Sequence, residues 1–294
     1  MRIMALRLTY PARTAALLLA VALLVSSRRN AAQQPPPAKN ARILLLPHRM
    51  VSGDRITLAV LDLGGRLTPG VTIAFSNGDR VVTNATGRAT FVAPLTQGIL
   101  YATIQGRPGR VQTEIIAAAT SKTPTEVLSA PHFASLADRF ELQGHGFCGD
   151  ADKNIVQVNG QPALVLAASS ESITALPPSE LDPGPANVSV SCNKGDAGWA
   201  HIAFLALALE ADSSPLQPGQ KRTLSVHITG TEERVNLEAR NLAPDVASLD
   251  AGNPARATSS GGAQNTAVFA LTGKQHGNIL VSIRLLPGAV RTQP

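Results

Sequence analysis

Between Leu142 and Ala163 the chain reads LQGHGFCGDADKNIVQVNGQPA, and its acidic run is where metal chemistry would sit. Asp150, Asp152 and Asn154 alternate like the first oxygen ligands of a calcium loop. Such a loop also needs a glycine at its sixth position and a bidentate acid at its twelfth. Counted from Asp150, those positions hold Ile155 and Gln161, which excludes an EF-hand loop. A looser oxygen site at Asp150, Asp152 and Asn154 or a solvated turn remains. The turn is the expectation, because Asp and Asn favour turn backbone without any ion. No metal and no cofactor is expected.

His145 and Cys148 together suggest zinc, but zinc needs three or four ligands and no second pair is spaced to help. Ser259 and Ser260, with Asp250 before them and His276 after, offer the residue types of a nucleophile triad. The G-x-S-x-G elbow that would expose such a serine is missing, and TSSGGAQNTA reads as a polar loop. There is no phosphate-binding glycine loop and no H-E-x-x-H. An enzyme is not expected. Carbohydrate binding would present exposed Trp or Tyr as platforms. Trp199, the only tryptophan, opens the apolar run WAHIAFLALAL and is expected in a core. Tyr101 alternates with Leu100 and Ala102 and is expected outside.

The N-terminus sets the compartment. Arg2, Arg7 and Arg13 precede an apolar run, Thr14 to Val25, that is short for a membrane span and is followed by small residues. This reads as a secretory signal peptide, with an uncleaved N-terminal anchor as the alternative. Five of the 26 Lys+Arg and none of the 20 Asp+Glu lie in residues 1–32, so a chain starting at Gln33 carries 21 bases against 20 acids. The basic balance is therefore mostly targeting signal and no argument for nucleic acid. In an exported chain the two cysteines, Cys148 and Cys192, are most simply one disulfide. Cys192 shares its alternation with Val188 and Val190, which aims it at a buried face.

These residues must be held by strands. Ile56, Leu58 and Val60 alternate in DRITLAVLD; Val71, Ile73 and Phe75 alternate before an Asn77-Gly78 turn; Leu224, Val226 and Ile228 alternate in TLSVHIT. This is the period of half-buried strands, with no helical stripe competing. Aromatic residues make up only 3% of the chain, so the cores must be built from Val, Ile, Leu and Ala. SKTPTE and EADSSPLQPGQ separate three runs of short strands, the pattern of consecutive β-sandwiches.

The middle run resembles an IPT/TIG domain, an immunoglobulin-like sandwich, over about 124–209. PTEVLSAP opens it, FELQGHGF matches the family's G-x-G-F turn, NIVQVNGQPALVLAASSESITALPP supplies its V-N-G strand pair and Pro-containing turn, and DPGPANVSVSC supplies a late strand. The insertion CGDADK with its cysteine departs from the family pattern. The first run is more distantly similar to bacterial Ig-like domains through VTNATGRATFVAP. Such modules generally serve outside the cell as spacers, adhesion or ligand-binding domains, or accessories to enzymes.

The resulting expectation is an all-β chain of three consecutive Ig-like sandwiches. A signal peptide (1–32) and a Pro-rich linker (33–41) precede sandwiches at 42–120, 121–210 and 211–294, the last of no assigned family. It would be secreted, periplasmic or on the cell surface. There it would act as a non-catalytic structural, adhesive or partner-binding protein of the envelope, or as a ligand- or polymer-binding accessory subunit. Its partner would be a protein or an extracellular polymer. No nucleic acid is expected, and membrane contact only through an uncleaved N-terminal segment.

Overall fold

Period-two alternation becomes strands almost throughout. The computed structural model describes residues 3–6, 42–118, 124–193, 195–211, 214, 216–286 and 290–292. The expected linker 33–41 and all of the expected signal peptide but Ile3–Leu6 lie outside the described residues. Among the described residues there is no α-helix, and a single 3-10 turn spans Ala151–Lys153. The protein is all-β and immunoglobulin-like.

The first strands are β1 (Ile3–Leu6), β2 (Arg42–Leu45), β3 (Arg49–Val51), β4 (Arg55–Asp62), β5 (Thr72–Phe75), β6 (Arg80–Val82), β7 (Arg88–Val92), β8 (Gly98–Ile104) and β9 (Val111–Ile116). Strands β2, β4 and β7 face the sheet β3-β9-β8-β5-β6. Ile56, Leu58, Val60, Ile73, Phe75, Leu100 and Ala102 fill the space between. The Asn77-Gly78 turn falls where the sequence places it, with Gly78 at φ 96°, a conformation that suits glycine.

The middle strands are β10 (Glu126–Pro131), β11 (Phe133–Ser135), β12 (Phe140–His145), β13 (Asn154–Val158), β14 (Gln161–Pro162), β15 (Leu164–Ala168), β16 (Ser172–Leu176), β17 (Gly184–Cys192) and β18 (Ala197–Glu210). The layers β15-β16-β12-β10 and β14-β13-β17-β18 enclose a core of Leu142, Val158, Ile173, Val188, Val190 and Phe204.

The last strands are β19 (Lys221–Thr229), β20 (Asn236–Asn241), β21 (Ala247–Leu249), β22 (Ala255–Thr258), β23 (Thr266–Gly273), β24 (Ile279–Leu285) and β25 (Val290–Thr292). The second half of β18 joins β19-β23-β21, which faces β1-β24-β20-β22. Leu205, Leu224, Val226, Ile228, Leu237, Phe269 and Leu271 form this core.

Strand β4 departs from the half-buried expectation, because Ile56 to Leu61 are all buried. Its second face meets the middle sandwich. Ala59 and Leu61 pack with Leu166 and Ala167, and Thr57 pairs with Ala168 across the join of the two sheets.

Candidate binding surface

The acidic run is a turn with a docking role. Asp150 caps the 3-10 turn, its Oδ1 accepting from the Asp152 amide at 3.2 Å. Asp152 Oδ1 takes a hydrogen bond from Arg88 Nη1 at 2.6 Å, an arginine of β7 in the first sandwich. Asn154 points inward: its Nδ2 donates to the carbonyls of Cys148 (2.6 Å) and Asp150 (3.1 Å), and its Oδ1 accepts from the Cys148 amide (2.9 Å). The three side chains thus hold different protein partners rather than a common centre.

The loop also sits directly on β4. Thr57 Oγ1 donates to the Gly149 carbonyl at 2.8 Å and accepts from the Ala151 amide at 3.1 Å. A side-chain carbon on Gly149 would overlap the Arg55 carbonyl, so only glycine fits this approach. Cys148 and Cys192 are joined as a disulfide with Cα atoms 5.3 Å apart, tying the loop to the end of β17. The insertion that departs from the family pattern is therefore the clamp between two sandwiches.

The other candidates fall apart in the same way. His145 Nδ1 meets the Glu171 carboxylate at 2.9 Å, and Cys148 is in the disulfide. The Ser259 hydroxyl accepts from the Val235 amide at 2.9 Å and is buried. Ser260 Oγ closes its own loop through the Thr266 amide at 3.0 Å. Asp250 accepts from Thr272 Oγ1 at 2.6 Å and pairs with Lys221. These hydrogen bonds of Thr272 and Lys221 lower the Asp250 pKa below the usual carboxylate range.

Trp199 overturns its expectation. It is 60% exposed, where a core position was expected. The reason is the same alternation that orders β18: Gly198, Ala200, Ile202 and Phe204 point inward, which turns Trp199 and His201 out. The signal was legible, but the apolar composition of the run hid it. Register places a polar row across the sheet, Trp199 opposite Ser189, Ser189 opposite Gln157, and Gln157 opposite Pro162. One step along, His201 lies opposite Asn187. Adjacent strands lie about 4.8 Å apart, so the row from Trp199 to Gln157 spans on the order of 10 Å. Asn187 and His201 lead into a cleft shared with His132, Asn159, Thr231 and Glu233. There His132 Nε2 lies 3.2 Å from the Glu233 carboxylate. Tyr101 is half-buried, with the Arg110 guanidinium 4.3 Å from its ring centre.

The family model of the IPT/TIG domain matches residues 134–204. The middle sandwich is an IPT/TIG domain. No curated protein matches the chain. Among solved structures, SGBP-B of a Bacteroides ovatus mixed-linkage glucan utilization locus, in complex with a mixed-linkage heptasaccharide, is 13% identical, with 81% of this chain and 73% of that one covered and a TM-score of 0.30. The plexin A4 extracellular region is 11% identical over 85% of this chain and 33% of that one, TM-score 0.32. The N-terminal eight Ig domains of the Down syndrome cell adhesion molecule are 12% identical over 86% and 36%, TM-score 0.23. The chain thus spans about a third of these last two proteins. No catalytic family is indicated. The Trp199 row lies on the outer face of the IPT/TIG sandwich, and the cystine loop on the side turned to β4.

Proposed function

We propose that the protein is an exported, non-catalytic binding protein of the cell envelope that holds an extracellular polysaccharide on the outer face of its IPT/TIG domain. In this reading a signal peptide (1–32) and a linker (33–41) lead to sandwiches at 42–120, 121–210 and 211–294. The supporting observation is Trp199. An indole left 60% exposed on an ordered sheet presents a flat apolar surface that a ligand can cover. A sugar ring is a suitable cover, because it presents a C–H face to the indole while its hydroxyls reach polar groups beside it. Ser189, Gln157, Asn187 and His201 supply donors and acceptors around the indole.

Trp199 is the only tryptophan, so intrinsic fluorescence reports this surface alone. Titration with a panel of soluble polysaccharides should give a saturable change in emission for at least one of them. Trp199→Ala should weaken that binding at least tenfold and leave stability within about 0.5 kcal/mol, as for other surface substitutions. No emission change and no retardation in polysaccharide-containing gels would overturn the reading in favour of a protein partner.

A further inference from the structure

On the third sandwich three arginines converge on one carboxylate. Glu238 of β20 lies opposite Arg284 of β24 on one side and Arg256 of β22 on the other. Its neighbours Leu237 and Ala239 belong to the third core, so strand alternation turns Glu238 to the outer face of its sheet. It is nevertheless only 3% exposed among the arginine side chains that meet it there. Arg284 donates to Oε1 through Nε at 3.1 Å and Nη2 at 2.7 Å. Arg256 Nε stands 3.7 Å from Oε2, and Arg240 Nη2 stands 3.9 Å from Oε1, both beyond hydrogen-bond reach.

One carboxylate does not balance three guanidiniums. Among the described residues no other acid pairs with them, which leaves a local positive excess in a chain that is nearly neutral from Gln33 onward. All three arginine side chains are half or more exposed. A guanidinium offers paired N–H donors that match a carboxylate, and an arginine already drawn to a fixed carboxylate loses less freedom on binding. The spacing selects among anions. From Arg284 to Arg256 the row crosses two strand spacings, about 10 Å, and Arg240 lies about 7 Å along β20 from Glu238. Cations spread this far suit a ligand that presents anions at intervals, not a single small ion. An anionic lipid surface is marked by clusters of roughly four to eight bases, and three partly neutralised arginines fall short of that.

We propose that this face of the third sandwich binds an acidic polysaccharide, one that carries carboxylates along its chain. The polymer crosses the strands from β24 to β22, and its carboxylates meet the guanidinium donors that Glu238 leaves open. The site is separate from the Trp199 surface. It lies on the sheet β1-β24-β20-β22, which opposes the one that β18 continues into.

The test is calorimetry of the full chain with polygalacturonate as the probe and dextran as the neutral control. Polygalacturonate should bind saturably and weaken as salt is raised, because screening shortens the reach of exposed charges. Dextran should give no heat at this site. The double variant Arg240→Ala with Arg256→Ala should weaken polygalacturonate binding at least about tenfold. It should leave the urea midpoint nearly unchanged, since neither arginine hydrogen-bonds Glu238. Arg80→Ala removes an exposed arginine of the first sandwich and should leave binding intact. No binding, or binding that the double variant retains, would overturn the proposal. An equal loss in Arg80→Ala would reduce the effect to net charge and overturn the site. Tighter binding to phosphatidylglycerol vesicles, lost in the double variant, would overturn the polysaccharide as occupant. Trp199 emission separates the two surfaces: it should stay unchanged when polygalacturonate binds here, and its failure to respond to any polysaccharide would count only against the Trp199 reading.

Discussion

Arg88 on β7 and Asp152 in the cystine loop, 64 residues apart, meet at 2.6 Å and join the first sandwich to the IPT/TIG domain. The pair is lopsided, because the arginine side chain is 10% exposed and the aspartate 79%. Asp152→Ala therefore leaves a nearly buried guanidinium without its carboxylate, and Arg88 Nε is already buried without a hydrogen-bond partner. A loss of about 1 kcal/mol is expected in urea unfolding, near the upper end for partly exposed pairs. Arg88→Ala should cost more, since it also removes the packed stem. Calorimetry with calcium should give no binding heat at this loop; micromolar binding that disappears in Asp152→Ala would establish a metal site instead.

The disulfide closes a loop with a sequence separation of 44. In the chain-entropy model such a loop contributes about 4 kcal/mol. Cys148→Ser and Cys192→Ser should each lower stability by a similar amount, and the double variant by little more. Thermal unfolding with and without reductant measures this. Unequal single variants would show that one cysteine acts beyond the bridge.

Gly149 is a third probe of the clamp. Gly149→Ala pushes a methyl group into the Arg55 carbonyl and strains both hydrogen bonds of Thr57. A loss of at least about 2 kcal/mol is expected, because backbone must move on both sides. Limited proteolysis should then release the first sandwich faster than in the parent chain.

Glu141 gives a pH signature. Burial pushes its carboxyl above the usual glutamate range, only partly offset by His48, a hydrogen bond with Gln143 and the Arg139 guanidinium. Its Oε1 is buried without a hydrogen-bond partner. The folded chain therefore keeps this proton to higher pH than the unfolded chain does. Between the two values the folded state binds more protons, so this group's contribution is fully present below the ordinary glutamate pKa. It is lost as pH rises through the folded value. Glu141→Gln should remove that decline and be the more stable form at neutral pH. Urea unfolding across a pH series, as a difference between the two proteins, checks it; parallel profiles would rule it out.

Strand faces were legible wherever one side is wet. Leu224, Val226 and Ile228 are buried, and Ser225, His227 and Thr229 are not. The cystine was legible from compartment and alternation. The second buried face of β4 was not, because it depends on Leu166 and Ala167, more than a hundred positions away. Neither was the role of the acidic run. Asp and Asn at that spacing specify a turn, while the partner that gives the turn its purpose, Arg88, lies in another sandwich. The direction of Trp199 follows from period and not from the apolar composition of its run, with Ala200, Ile202 and Phe204 fixing the buried face.

Strand β18 has a mechanical consequence. Its 14 residues run without interruption from the IPT/TIG core into the next one, paired with β17 from Ala197 to Phe204 and with β19 from Ala206 to Glu210. A pull on the last sandwich is thus delivered along the axis of a strand that is itself part of the IPT/TIG sheet. The hydrogen bonds of β17 and β18 lie across that axis and are loaded side by side, in shear, rather than peeled one at a time. Tension between these two sandwiches would pass through this strand directly, because β18 itself spans from one to the other.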